Sequence, residues 1–203
     1  MITSSIDRIN ILAGLYPEHV VIQPQIHNRR RVFRYTGKMM CAIDEDLLNV
    51  LLSYNQLTLP GITFSGIGDQ QNTLDLYRLT GNCWESNSAL CPYFLVFAIS
   101  TSGKLIGSLT NYKDAGKKFP VAYLSSPSGN TFTIIGSSFE QFLKNMIDRS
   151  IAFLSTGNKY VDDAFLTDTD FWQSNDTLLH TNIQQGYYKL SAEDNWKKEF
   201  GYV

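Results

Sequence analysis

The stretch IIGSSFEQFLKNMI, residues 134–147, decides the fold, because a run of β-type residues stops at Gly136 and a helical pattern begins at once. Ser137 and Glu140 have the spacing of a capping box, in which each side chain satisfies a free backbone amide of the first helical turn. The apolar residues that follow recur at helical spacing on one face: Phe139, Phe142, Leu143, Met146 and Ile147. The stretch therefore predicts a strand that leads directly into an amphipathic helix packed against a sheet.

Before this junction, residues 61–135 alternate with a period of two, which is typical of strands. Short β-rich runs are separated by turn-forming residues, and no pattern of helical length interrupts them. The runs are GITFSGIG, TLDLYRL, PYFLVFAIS, KLIGSLT, FPVAYLS and TFTIIG. The segments STSGK (100–104) and SPSGN (126–130) have the composition of hairpin connections. We therefore expect a sheet that is mostly antiparallel.

Helical patterns flank an extended segment in the N-terminal part of the chain. Residues 5–15 predict a short amphipathic helix that ends before Pro17, and VVI and RVFRY within 19–35 predict extended structure. The segment DEDLLNVLLSYN begins with three acids, which favour the start of a helix, and we expect that helix to stop near Asn55.

This order of elements predicts an α+β domain over residues 1–154, with a central, mostly antiparallel sheet packed by helices. Residues 155–203 have weak apolar periodicity but many aromatic side chains, so we expect a C-terminal extension docked on the same domain. The aromatic residues of the extension include Phe165, Phe171, Trp172, Tyr187, Tyr188, Trp196 and Phe200. A short helix capped by Ser191 is expected near its end.

Composition and charge narrow the range of partners. The chain has 17 Lys and Arg against 19 Asp and Glu, a net charge of −2 that provides no attraction to nucleic acid or an anionic membrane. No apolar run approaches the roughly 18 residues of a membrane span, and Asp7 and Arg8 argue against a signal peptide. Cys41, Cys83 and Cys91 are an odd number at loose spacing, which indicates a reducing compartment. We therefore expect a cytoplasmic protein with no nucleic-acid partner and no membrane span.

Patterns for catalysis and metal binding are weak. His19, His27 and His180 are scattered, and neither Cys-x-x-Cys nor His-x-x-x-His spacing occurs, so we expect no metal or other cofactor. The Gly-x-Ser-x-Gly nucleophile elbow is missing from the sequence. A Ser/His or Cys/His pair brought together by folding stays open as an alternative.

An acidic cluster lies in the segment VDDAFLTDTD, with Asp162, Asp163, Asp168 and Asp170. Paired carboxylates can bind a divalent cation, but the EF-hand pattern fails because no glycine lies in mid-loop and no Glu closes it. A solvated acidic loop is the simplest interpretation. As a third interpretation, the carboxylates contact a basic surface of a partner protein and steer its association.

The candidate partner-binding residues are these four aspartates together with Tyr187 and Tyr188, because tyrosine is favoured at binding hot spots. The basic run Arg29–Arg31 with Arg34 is interpreted as an exposed edge or turn, where charge discourages pairing with another strand.

Four motifs, in their order along residues 40–150, resemble the SMI1/KNR4 (SUKH) superfamily. The segment DEDLLNVLLSYNQ is similar to the acid-flanked helix of that family, although Gln56 stands where a glycine is usual. YFLVFAISTSGK is similar to its strand and glycine turn, and Pro120–Val121 fits the residues before its late helix. The stretch IIGSSFEQFLKNMI matches its closing signature through Ser138, Phe139, Glu140, Phe142 and Leu143.

The resemblance implies a non-catalytic role on an α+β scaffold. Many bacterial members look like immunity proteins that bind and neutralise a cognate toxin, often a nuclease, and other relatives are regulatory or scaffolding proteins, some of them viral. We therefore expect an immunity-like protein that occludes a toxin, with a regulatory or scaffold protein as the alternative. A hydrolase built on residues 155–203 around His180 is the third hypothesis.

Overall fold

A computed structural model describes residues 2–39, 41–67, 74–86, 93–112, 118–124, 132–158, 161–162 and 164–187 of the chain. The described helices are α1 Ile2–Leu15, α2 Arg29–Thr36, α3 Glu45–Ser53, α4 Leu76–Ser86, α5 Phe139–Ser155, α6 Ala164–Thr167, α7 Thr169–Ser174 and α8 Thr177–Gln184. The described strands are β1 Val21–Pro24, β2 Tyr54–Leu59, β3 Ile62–Phe64, β4 Phe94–Ser100, β5 Leu105–Leu109, β6 Val121–Leu124 and β7 Phe132–Gly136. The predicted α+β class, with a central sheet packed by helices, is confirmed.

The seven strands form one sheet in the order β1-β2-β3-β4-β5-β6-β7, and every neighbouring pair is antiparallel. Consecutive strands thus pair with each other throughout, including β3 and β4, which α4 separates in sequence. The predicted turn at 100–104 is a tight hairpin, in which the amide of Ser100 donates to the carbonyl of Lys104 at 2.9 Å. Gly103 adopts a positive φ of 84° there, which favours glycine. The segment SPSGN lies outside the described residues.

Both faces of the sheet are covered by apolar side chains that alternate along the strands. On β4, Leu95 and Phe97 face the large core beneath α1, α3 and α5, while Phe94 and Val96 face a smaller cluster beneath α4. Full burial of each such side chain contributes roughly 1.5–3 kcal/mol to folding. A strand buried on both faces has an almost continuous apolar sequence, which explains the run FLVFAI.

The junction between β7 and α5 has the predicted form, with one residue of difference in the cap. All five predicted apolar residues of α5 are fully buried. Gly136 is required for close packing, because a Cβ there would lie 2.8 Å from the Cβ of Phe142. The helix cap, however, is Ser138, whose side chain accepts from the amide of Gln141 at 3.2 Å. The predicted capping box of Ser137 and Glu140 is therefore wrong, because those two side chains bind other partners.

Two segments predicted as extended are helices. RVFRY lies in α2, which Asn28 caps by accepting from the amide of Arg31 at 3.0 Å. TLDLYRL leads into α4, whose buried residues Leu76, Thr80 and Cys83 recur at helical spacing. The block from 61 to 135 is thus interrupted by a helix, contrary to the prediction.

One strand was missed. The helix α3 begins as predicted with Asp44 as its cap, but it ends at Ser53, and β2 begins at the next residue. Asn55 therefore lies in a strand and is not the stop of the helix. The backbone of Asn55 lies against Gly66, where a Cβ would be only 1.3 Å from the Asn55 carbonyl oxygen.

The described part of the C-terminal extension consists of three short helices that contribute to the main core. Trp172 and Leu179 are fully buried, and Phe165 is nearly so, in the same apolar cluster as α5. The ring centroids of Phe142 and Trp172 lie 5.7 Å apart. Phe165 and Trp172 are thus part of the main core, while Tyr188, Trp196, Phe200 and the helix expected from Ser191 lie outside the described residues.

No helix in the described part of the chain combines the length and the apolar composition that crossing a membrane requires.

Candidate functional site

Of the acidic cluster, Asp162 and Asp168 serve as helix caps. Asp162 accepts from the amide of Phe165 at 3.2 Å at the start of α6, and Asp168 accepts from the amide of Phe171 at 3.0 Å at the start of α7. Carboxylates at these positions also interact favourably with the helix dipole. Their sequence positions are thus explained by local structure.

Asp168 has a second partner in α5. Its other oxygen pairs with the guanidinium of Arg149 at 3.1 Å, and the Arg149 side chain is only 16% exposed. Asp170 is exposed on α7, and Asp163 lies outside the described residues. The described aspartates of the cluster therefore do not converge on one point, and among the described residues no three His, Cys, Asp or Glu side chains are placed to hold a metal ion.

Arg149 joins α5 to the C-terminal helices by stacking as well as by charge. Its guanidinium carbon lies 4.2 Å from the ring centroid of Phe171, 4.9 Å from that of Phe165 and 5.9 Å from that of Trp172. A planar guanidinium stacks on aromatic faces, which an ammonium group does less well. The aromatic residues of VDDAFLTDTDFW therefore stabilise the extension through their contacts with Arg149.

Of the two predicted tyrosines, Tyr187 is 46% exposed at the end of α8, and its ring centroid lies 6.2 Å from that of Tyr112. It remains accessible to a partner. Tyr188 lies outside the described residues.

A cationic surface that sequence reasoning interpreted as an edge or turn is a helix. We define the α2 surface as the cations Arg29, Arg30, Arg31, Arg34 and Lys38, all of which are exposed. Between Glu18 and Asp44 the sequence contains no acid, so all charged residues of this segment are cations. The ion pairs found among the described residues include neither Arg30 nor Arg34. The signal for this helix was present in the cap Asn28 and the terminal Gly37.

Aromatic groups border the α2 surface. The guanidinium carbon of Arg29 lies 5.3 Å from the ring centroid of Phe33, which is 42% exposed. Tyr35 packs edge-on against the exposed Tyr77 at 6.2 Å and donates a hydrogen bond to Asp75 at 2.5 Å. These contacts hold α2 against the start of α4 and so fix the position of the helix that carries the cations.

A polar groove of about 450 Å³ lies where the N-terminal ends of α1, α5 and α8 meet. Hydroxyl and amide groups line it together with Arg8 and Lys144, which both pair with Asp148. Partial burial would raise the pKa of Asp148, but the hydrogen bonds from these two cations lower it overall. The two cations of the groove are thus already paired with a carboxylate.

Among the described carboxyl groups, that of Asp44, the cap of α3, has a strongly raised pKa. Burial raises its pKa to about 6, against the opposing hydrogen bond from the amide of Leu47. One oxygen of the carboxyl group has no hydrogen-bond partner among the described residues. Burial alone would lower the pKa of the neighbouring Lys118, but hydrogen bonds to Glu140 and Asp46 raise it.

The described surroundings of His180 and Cys83 do not activate either group as a base or a nucleophile. His180 is exposed on α8, and its Nε2 hydrogen-bonds the side-chain amide of Gln184 at 2.8 Å. Cys41 and Cys83 are buried free thiols, and burial raises the pKa of Cys83 to about 11, which disfavours the reactive thiolate. The geometry around His180 therefore adds no support to the hydrolase hypothesis.

Comparison with models of known protein families and with curated proteins gave no match for this chain.

Proposed function

We propose that this protein is a non-catalytic binding module of the cytoplasm that occludes a partner protein, in the manner of SUKH immunity proteins neutralising a toxin. The resemblance of four ordered motifs supports the family, and the α+β sheet with its late helix is compatible with it. The buried free thiols of Cys41 and Cys83 fit a reducing compartment.

The observation that carries the proposal is the α2 surface. Arg29, Arg30 and Arg31 occupy the first turn of α2, where the helix dipole favours acids and each cation costs about 0.3–1 kcal/mol. Residues that reduce stability while remaining exposed are typical of functional surfaces, where binding offsets the cost. By contrast, the contacts of Asp162, Asp168 and Arg149 stabilise the fold.

The C-terminal residues retain a place in this proposal. Asp170 and Tyr187 are exposed, which allows them to enlarge an interface, and Asp163 and Tyr188, which lie outside the described residues, stay candidates. A stable interface buries roughly 800 Å² on each partner, which exceeds the area of one short helix. We therefore assign α2 the principal contact and leave these residues as further candidates.

Co-expression with toxin domains encoded beside this gene tests the proposal. We expect one of them to co-purify at one-to-one stoichiometry by light scattering after gel filtration, and cells that express it to survive only with this protein present. A matched control is the same toxin co-expressed with an unrelated α+β protein. Death of the cells together with the absence of a complex would show that the immunity function is wrong.

A further inference from the structure

We infer that the α2 surface is a docking site for an acidic segment of a protein partner, an inference that rests on the proposed binding function and specifies its chemistry. The charge of the chain is strongly segregated. Five of its 17 cations lie within residues 29–38, which leaves 12 Lys and Arg against 19 Asp and Glu in the remainder. The α2 surface is therefore a compact positive patch on an otherwise negative protein.

The side chains on α2 match carboxylates in geometry as well as in sign. Four of the five cations are arginines, whose planar guanidinium presents paired N–H donors to the two oxygens of a carboxylate. Arginine and aromatic residues are also enriched at interface hot spots, and Phe33 and Tyr77 lie exposed beside the cations.

The size and surroundings of the patch favour a protein segment over other polyanions. The helix α2 has 8 residues and is about 12 Å long. Outside residues 29–38 the 19 acids outnumber the 12 cations, so a nucleic acid that extends beyond the helix would meet a net negative protein, which repels phosphate. Insertion into a membrane surface needs a free apolar face, and here Val32 is buried in the core and Tyr35 is partly buried against α4.

The unbound helix also shows what the partner must supply. Arg30 and Arg34 are one helical turn apart and repel each other, and the first-turn arginines oppose the helix dipole. Acidic groups bound across these positions would relieve both effects at once. The partner's acidic segment is thus expected to stabilise α2 as well as bind it.

The test compares charge reversal with charge retention. Binding of a fluorescent oligoglutamate peptide at low ionic strength is measured by anisotropy for the wild type, R30E/R34E, R30K/R34K and K104E/K144E. The last variant changes the net charge as much as the first, but away from α2. We expect R30E/R34E to weaken binding at least tenfold, while R30K/R34K and K104E/K144E remain within about threefold of the wild type.

A second measurement separates lost binding from lost structure. The single variant R30E places an acid in the first turn of α2 and opposite Arg34, so its melting temperature should rise by roughly 1–4 °C while peptide binding falls. A variant that is more stable yet binds less tightly is not explained by misfolding.

Other outcomes overturn the inference. These are the absence of peptide binding at low salt, equal binding by R30E/R34E, and tighter α2-dependent binding of single-stranded oligothymidylate or phosphatidylserine vesicles. If a co-purified toxin binds R30E/R34E as it binds the wild type, the docking site is wrong while the binding function stands. If α2 binds oligoglutamate but no toxin co-purifies, the docking site stands and the immunity function fails.

Discussion

Asp44 shows how one side chain can both form a helix and oppose the stability of the protein. Its carboxylate caps α3, but burial raises its pKa from 3.8 to about 6. Between these two values the unfolded chain is ionised while the folded protein retains its proton. Asp44 therefore makes stability fall as pH rises from about 4 to 6, and above pH 6 it costs the folded state up to about 3 kcal/mol.

Replacing Asp44 by asparagine should remove this dependence. Asparagine caps helices about as well as aspartate and does not ionise, so D44N should be more stable than the wild type by up to about 3 kcal/mol at pH 7. At pH 4 the two proteins should differ little. Urea unfolding measured across pH 4–7 checks this, and parallel curves for the two proteins would contradict it.

Gly136 lies so close to the side chain of Phe142 that a larger residue does not fit without a shift. An added Cβ would lie 2.8 Å from the Cβ of Phe142, which is fully buried. We expect G136A to destabilise the protein by about 1–3 kcal/mol, because the junction must shift apart.

The matched control for this change is G81A, in the middle of α4. An added Cβ there would have no heavy atom within 4 Å, apart from its chain neighbours and the backbone of its own helix. There the same substitution should stabilise the helix by about 0.5–1 kcal/mol. Thermal unfolding of both variants checks the pair, and a neutral effect at Gly136 would show that the contact relaxes freely.

At the scale of elements, Arg149 connects α5 to α6 and α7. R149K preserves the charge but loses the planar stack on Phe165 and Phe171, so we expect a loss of about 1–2 kcal/mol. The control R8K alters an ion pair whose side chains are one-third or more exposed, and it should cost no more than about 0.5 kcal/mol. Denaturant unfolding followed by circular dichroism measures both, and equal effects would assign no special role to the stack.

The sequence predicts well those elements in which apolar residues recur at a regular spacing over many positions. The face of α5 and the strands β4 to β7 are of this kind. The helix α2 was missed because four of its five exposed residues are arginines and only Val32 is buried, so that no apolar period is visible. In α4, Tyr77 and Thr80 have strand preferences, which the packing of the helix against β4 overrides.

The capping residue of α5 depended on information far away in the chain. Ser137 and Ser138 are equally good caps by sequence, and the choice is made by Asp176, which binds both the amide and the hydroxyl of Ser137 at 2.7 and 2.9 Å. The same carboxylate caps α8 through the amide of Leu179. The candidate site was likewise predicted only in part. The charge of Arg29–Arg31 is evident from the sequence, but its placement on a helix is not.

At the scale of the whole molecule, the N-terminal elements and the C-terminal helices share one apolar core. Ile9 of α1, Phe97 of β4 and Trp172 of α7 belong to the same cluster. We therefore expect one cooperative unfolding transition, with circular dichroism and tryptophan fluorescence giving coincident curves in urea. Two separated transitions would show that the extension from residue 155 unfolds as an independent unit.

The hydrogen bonds between Ser137 and Asp176 also have a consequence for how the protein is made. The two residues are 39 positions apart, and the chain leaves the ribosome N-terminus first. The start of α5 is therefore synthesised well before the carboxylate that completes it. A nascent chain arrested between Phe142 and Trp172 holds Ser137 without Asp176 and Phe142 without Trp172 against it. Closure of the core therefore waits until α7 and α8 have been synthesised.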